Sequence, residues 1–289
     1  MTAPANAPKL DRSPESAIAR LVQIMDRLRD PGGCPWDREQ TLRTLTPYLL
    51  EEAHEVIDAI ESGDHENHRE ELGDLLFQVV FQARIAREEG RFDFAGVCDA
   101  ISDKLTRRHP HVFGDAKVDS SKEVLKNWEI IKAEERKARG DKPRSAIGGV
   151  PAGLPALVRA ERITDKAAAV GFDWMNAKDV LAKVHEELGE LVRELEPANG
   201  TAPDRARIEA EMGDLLFSIA NLGRFVQVHP EEALRGTVRR FESRFHHIEA
   251  RLAEQGRTPR DSNLAEMDGL WKEAKDLERA ASATSSAKP

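Results

Sequence analysis

At 289 residues the chain is long enough for one or two domains and a sizeable core. It is 40% hydrophobic and 33% charged, and its formal net charge of -9 argues against nonspecific attachment to a nucleic-acid polymer or an anionic membrane. No apolar run is long enough to span a bilayer, residues 1–14 lack the apolar core of a signal peptide, and Cys34 and Cys98 form no zinc motif, so a cytoplasmic protein with reduced thiols is expected.

Strand signals are weak throughout, and apolar residues recur at helical spacing. After a loose tail over residues 1–16, Ile18, Leu21, Val22, Met25 and Leu28 form one stripe, stopped by Asp30-Pro31-Gly32-Gly33. A second helix is predicted over residues 44–61, with Pro47 in its first turn, where a missing N–H costs little. Ser62-Gly63-Asp64 turns the chain into a third helix, residues 65–89, expected to carry Leu72, Leu75, Leu76, Val79 and Val80 inward. Helices over 94–108 and 121–139 close a first domain, residues 17–139. A Gly/Pro-rich linker over 140–153 follows. The order then recurs as helices over 154–169, 177–196, 203–228, 230–254 and 264–280, a second domain of residues 154–280, with a loose tail over 281–289.

The two halves share more than helix order. Glu51-Glu52-x-x-Glu55 is followed by Glu71-x-Gly73-Asp74-Leu75-Leu76-Phe77, and Glu186-Glu187-x-x-Glu190 by Glu211-x-Gly213-Asp214-Leu215-Leu216-Phe217. Gly33-Cys34-Pro35-Trp36 precedes the first set and Gly171-Phe172-Asp173-Trp174 the second. Each half ends in Trp-x-x-x-Lys, at Trp128/Lys132 and Trp271/Lys275, after a basic helix bearing Lys104, Arg107 and Arg108 or Arg239, Arg240 and Arg244. Chance similarity of two Glu-rich helices does not reproduce that order; it is a duplicated all-α domain.

Residues three apart share a helix face, so each half offers two carboxylate pairs, Glu52/Glu55 with Glu71/Asp74 and Glu187/Glu190 with Glu211/Asp214. Four oxygen ligands aimed at one point suit a hard divalent cation and phosphate chemistry. The ordinary reading of a helical Glu is solvated surface. Two features weigh against it: Gly73 and Gly213 interrupt strong helices, as if something approaches the backbone, and the two Asp residues run directly into a core-facing Leu-Leu-Phe. Glu51 and Glu186 lie about 100° round the helix from the inner glutamates and suit support of the ligands or orientation of water. Glu51-x-x-His54 matches the Glu-x-x-His element of di-iron bundles, but the second half has Gly189 there.

These motifs, duplicated and in this order, resemble the MazG family of nucleoside triphosphate pyrophosphohydrolases over nearly the whole chain, with Arg107 to Phe113 (Arg-Arg-His-Pro-His-Val-Phe) adding to the match. The resemblance implies tandem all-α domains whose four-helix cores are completed in a homodimer. It also implies Mg²⁺-dependent cleavage of nucleoside triphosphates to monophosphate and pyrophosphate, with Mn²⁺ as the alternative ion. Carried over by position, the metal ligands are Glu187, Glu190, Glu211 and Asp214, with Glu52, Glu55, Glu71 and Asp74 as first-half equivalents. The nucleotide site would use Lys183, Glu187, Asp214, the segment Arg207, Ile208, Glu209 and Ala210, the cations Arg240 and Arg244, and Trp271 with Lys275 closing the pocket. Ser243 stands where the family often has Arg, which removes one phosphate contact.

The implied reaction is in-line attack of water at the α-phosphorus, with Glu186 or Glu187 orienting the water. The second half is expected to be the working one, because Tyr48 and Asn67 stand in the first half where Lys183 and Arg207 stand in the second. Broad use against non-canonical nucleotides is the expected role. A narrower dUTP or modified-dNTP hydrolase, and a non-catalytic nucleotide-sensing regulator, are the competing readings.

Overall fold

A computed structural model describes residues 13–138, 140, 145–197 and 202–285. The chain divides into two compact units, Met1–Asp141 and Lys142–Pro289. Among the described residues all regular structure is helical: twelve α-helices and one 3₁₀ turn at Pro259–Asp261.

In the first unit, α1 (Pro14–Arg29) begins inside the expected tail, because Ser13 caps it by accepting from Ser16 N–H. The rest of that tail, residues 1–12, lies outside the described residues. A short α2 (Pro35–Glu39), absent from the sequence reading, follows Gly33. A side chain at Gly33 would put its Cβ 2.2 Å from the Leu28 carbonyl oxygen, so only glycine allows this chain reversal. The acidic pairs stand on α3 (Thr46–Ser62) and α4 (His65–Glu88), antiparallel neighbours joined at Gly63, whose φ of 73° suits glycine. Asp64 caps α4 through the N–H groups of Glu66 and Asn67. Then come α5 (Phe94–Arg108), one turn of α6 (Pro110–Phe113), also not foreseen, and α7 (Ser121–Ala138).

The second unit repeats the plan. Here α8 (Ala156–Ala168) and α9 (Ala177–Leu195) pack on α10 (Arg205–Val226), and α11 (Pro230–Ala253) packs on α12 (Leu264–Ser285). The last helix continues to Ser285, past the boundary expected at 280; residues 286–289 lie outside the described residues, as do residue 139 at the end of the first domain and 141–144 of the linker.

The apolar stripe of α4 is wider than one chain covers. Val80 is buried, but Leu72, Leu76 and Val79, expected inward, face outward. Met212, Leu216 and Ile219, the same positions of α10, are exposed too. Among the described residues, and leaving aside the helix's own backbone, nothing lies within 4 Å of where a Cβ would sit on Gly73 or Gly213.

Candidate metal and nucleotide site

Helix α9 is fixed in phase by Asn176, which caps it through the N–H groups of Lys178 and Asp179. That phase turns Glu187 into the unit, where only 5% of it is exposed, with Glu190 one turn on and half-buried. Asp204 caps α10 and sets Glu211 opposite them. Glu187, Glu190 and Glu211 each offer one oxygen, and the three oxygens lie within 4.8 Å of one another. Glu52, Glu55 and Glu71 make the same group in the first unit. A divalent cation bound by oxygen at about 2.1–2.4 Å from each ligand fits that spacing, and an all-carboxylate donor set suits Mg²⁺ or Mn²⁺ rather than a soft metal.

Asp214 and Asp74, the fourth expected ligands, stand outside these closest groupings, consistent with repulsion among like charges. They are still near enough to act. Burial first, then Glu190, Asp214 and Glu187, push the Glu211 carboxyl above its ordinary value. Burial, Glu55 and Asp74 do the same to Glu71, and burial with Asp74 and Glu55 to Glu52. A raised carboxyl pKa in the folded state means a charge penalty that is present above the folded pKa and absent below the ordinary 4.5. In EDTA at pH 7, E211Q should therefore melt higher than the native protein, and the difference should vanish as pH falls below about 4.5; a thermal melt series across pH measures it.

Lys183 reaches the cluster from one turn earlier on α9, 2.7 Å from Glu187 and 2.8 Å from Glu186. Hydrogen bonds to Glu186 and then Glu187 push its pKa up, so it stays charged. Lys183, Glu187 and Asp214 form one end of a cleft of about 640 Å³. Its apolar walls come from Ile163 of α8, the turn bearing Phe172 and Trp174, Val180 of α9 and Phe217 of α10. Ser218, Asn221 and Arg224 line its far end. None of these wall residues was singled out as a ligand contact from the sequence, because they gather only through packing of α8, α9 and α10.

The other expected nucleotide contacts lie elsewhere in the second unit. Arg207, Ile208, Glu209 and Ala210 form the start of α10, ahead of Glu211 and not among the cleft's lining residues; Arg207 faces Glu194 at 3.4 Å. Arg244 pairs with Glu278 at 2.7 Å and lies 5.3 Å over the Trp271 ring, which also packs on Phe241. Arg244, Arg240 and Lys275 together hold the Glu278 carboxyl low. They make a second basic group, on α11 and α12, apart from the cleft lining.

The first unit fills what the second keeps open. Phe81 and Asn221 each stand ten residues after the third glutamate, Leu45 and Val180 seven before the inner one, and Met25 and Ile163 eight before Gly33 and Gly171. Asn221, Val180 and Ile163 line the cleft, whereas Phe81, Leu45 and Met25 pack together as one core cluster with Phe77 against it. Tyr48, at the place of Lys183, instead meets Trp36 edge-on at 5.7 Å.

Fold and site thus define an all-α protein with a twice-repeated carboxylate centre. Residues 40–113 and 176–248 each match the MazG nucleotide pyrophosphohydrolase domain. The chain is 49% identical over 262 residues to a nucleoside triphosphate pyrophosphohydrolase of Escherichia coli (strain K12), covering 90% of this chain and 98% of that one. It is 46% identical over 255 residues to the nucleoside triphosphate pyrophosphohydrolase/pyrophosphatase MazG of Thermotoga maritima, covering 88% and 94%. A crystal structure of a MazG-related protein from Thermotoga maritima covers 40% of this chain and 98% of its own at 30% identity, with a TM-score of 0.36. The chain belongs to the MazG nucleotide pyrophosphohydrolase family and carries its domain twice.

Proposed function

We propose that this protein is a Mg²⁺-dependent nucleoside triphosphate pyrophosphohydrolase that releases pyrophosphate and a monophosphate, accepts several bases, and works in its second half. The observation that carries this is the opening of an apolar, Trp-flanked cleft onto Glu187, Lys183 and Asp214 in that half, against a filled counterpart in the first. Family membership and the names of the relatives support the reaction class.

Glu187, Glu190, Glu211 and Asp214 would hold the metal, which when bound supplies charge neutralisation at the phosphate oxygens and a more acidic water. Lys183, kept charged by its two glutamates, neutralises phosphate charge at the cleft mouth. Glu186, exposed beside Lys183, is placed to accept a proton from the attacking water. Trp174 and Phe217 offer flat apolar surfaces to a base. Arg240, Arg244 and Lys275 serve the outer phosphates in this reading, with Arg244 exchanging Glu278 for phosphate, while Trp271 and residues 207–210 flank the nucleotide.

The exposed pairs Leu72/Met212, Leu76/Leu216 and Val79/Ile219 support a homodimer, since each half leaves the same apolar helix face uncovered. Replacing Leu216 by Glu should then shift the protein toward monomer in sedimentation; an unchanged mass in a native protein that is itself monomeric removes this part of the reading. Among the described residues no helix is long and apolar enough to cross a membrane, and the free thiols of Cys34 and Cys98 fit a cytoplasmic setting.

The test is pyrophosphate release from a panel of ribo- and deoxynucleoside triphosphates, with Mg²⁺ and with EDTA. Stoichiometric monophosphate and pyrophosphate, lost in EDTA, is the expected result. Orthophosphate release, or no release, overturns the assignment.

A further inference from the structure

Helix α10 presents Asp214, Phe217, Ser218, Asn221 and Arg224 to the cleft at spacings of three and four, so one helix face runs from the metal end to the cleft's far end. Asn221 lies about 10 Å along that axis from Asp214 at about 1.5 Å per residue, which is roughly the reach of a nucleoside from its 5′ phosphate to its base. Only 8% of Asn221 is exposed.

The orientation of its amide is fixed by chemistry. Arg224 Nε donates to Asn221 Oδ1 at 3.2 Å. Arginine has donors only, so the flipped amide would set donor against donor. Arg224 is itself held: its Nη2 donates to Asp173 Oδ1 at 2.6 Å, and Asp165 stands 3.7 Å from its Nε. Nδ2 of Asn221 makes no hydrogen bond to protein among the described residues and is not one of the buried side-chain atoms left without a partner, so it keeps access to the cleft although the residue as a whole is more than nine-tenths buried. A donor that faces the cleft without a protein partner is free to exchange water for a ligand acceptor.

The first half shows that Asn is not needed for this ion-pair network. Arg84, thirteen residues after Glu71 as Arg224 is after Glu211, keeps acidic partners, 2.9 Å from both Asp26 and Asp30. Yet Phe81 occupies the position of Asn221 there, wholly buried. The arginine recurs for structure, and the asparagine belongs to the half that keeps its cleft.

We propose that Asn221 reads the base, offering Nδ2 as a hydrogen-bond donor, with Arg224 as the residue that positions it. The cleft then favours bases that insert a carbonyl edge, such as uracil, thymine, guanine and hypoxanthine. Adenine is disfavoured because its exocyclic amine meets the amide donor to donor. This rests on the cleft being the nucleoside site of the hydrolase proposed above, and a preference of about tenfold leaves several bases usable.

The experiment compares kcat/KM for dUTP, dGTP, dITP and dATP, with Mg²⁺, in the native protein and in N221D, N221L and R224K. The native protein should favour the carbonyl-edged substrates over dATP by about tenfold. N221D keeps an oxygen toward Arg224 but turns an acceptor into the cleft, and should invert the ratio toward dATP. N221L should bring the ratio near one while hydrolysis continues, a second reading should N221D not fold. R224K keeps charge against Asp173 but loses the guanidinium fork, and the base ratio should fall, which a merely structural role would not cause. Equal native rates on all four substrates, or a ratio unmoved in both Asn221 variants, overturns the base-reading role while leaving the hydrolase intact. No pyrophosphate from any substrate overturns both.

Discussion

Replacing Glu187 by Gln is expected to lower kcat/KM for triphosphate hydrolysis by about 10²–10³-fold, the scale of losing one strong electrostatic group from a catalytic centre. Gln keeps the volume of Glu, so the side chain still fills the 5%-exposed position between α9 and α10. What is lost is the formal charge and the second acceptor oxygen, which a hard cation needs. Folding should change little. Lys183 loses one partner but keeps Glu186 at 2.8 Å, and the remaining carboxylates repel one another less. Stability should stay within about 1 kcal/mol, the scale of a partly exposed ion pair. The matched change Glu52→Gln in the first half should leave pyrophosphate release nearly unchanged, because Tyr48 replaces the lysine and Phe81 fills the cleft there. Steady-state kinetics with thermal melts for both variants decide it; equal damage from the two would show that the halves share the work.

What the sequence made legible follows from periodicity. Carboxylates three apart on strong helices had to share a face, and Glu187, Glu190 and Glu211 do converge, as do Glu52, Glu55 and Glu71. The duplicated order of glycines, Trp and acidic pairs marked two like domains, whereas the capping roles of Asp64 and Asn176 emerge only in the structure. Facing was harder. Leu72, Leu76 and Val79 match a core stripe as well as Val80 does, and composition does not say which part of a wide stripe the same chain covers. The cleft was illegible for another reason. Its walls come from three helices and a turn, so no local pattern holds them. One signal was present: Asn221 against Phe81, a polar residue aligned with an aromatic one in two otherwise similar helices. Its meaning needed the packing of Met25, Leu45 and Phe81 beside it.

That same contrast gives the second large prediction. Copying the first half into the second, as N221F, should close the cleft and lower kcat/KM by about 10- to 100-fold, the worth of about 1–3 kcal/mol attached to holding one base against aromatic surface. The extra ring enters open space rather than a packed core, so the overpacking cost of about 1–3 kcal/mol seen in filled interiors should be largely avoided. The loss should appear mainly in KM, since base contacts hold ground and transition states alike. Pyrophosphate carries phosphates but no base, so its inhibition constant should be unchanged in N221F, as should Mn²⁺ binding followed by paramagnetic resonance. A fall in pyrophosphate and metal affinity together with KM would mean that the ring had disturbed the carboxylates instead. Unchanged kcat/KM would move the nucleoside out of the cleft and toward Trp271 and residues 207–210, with the metal end left where Glu187 and Asp214 place it.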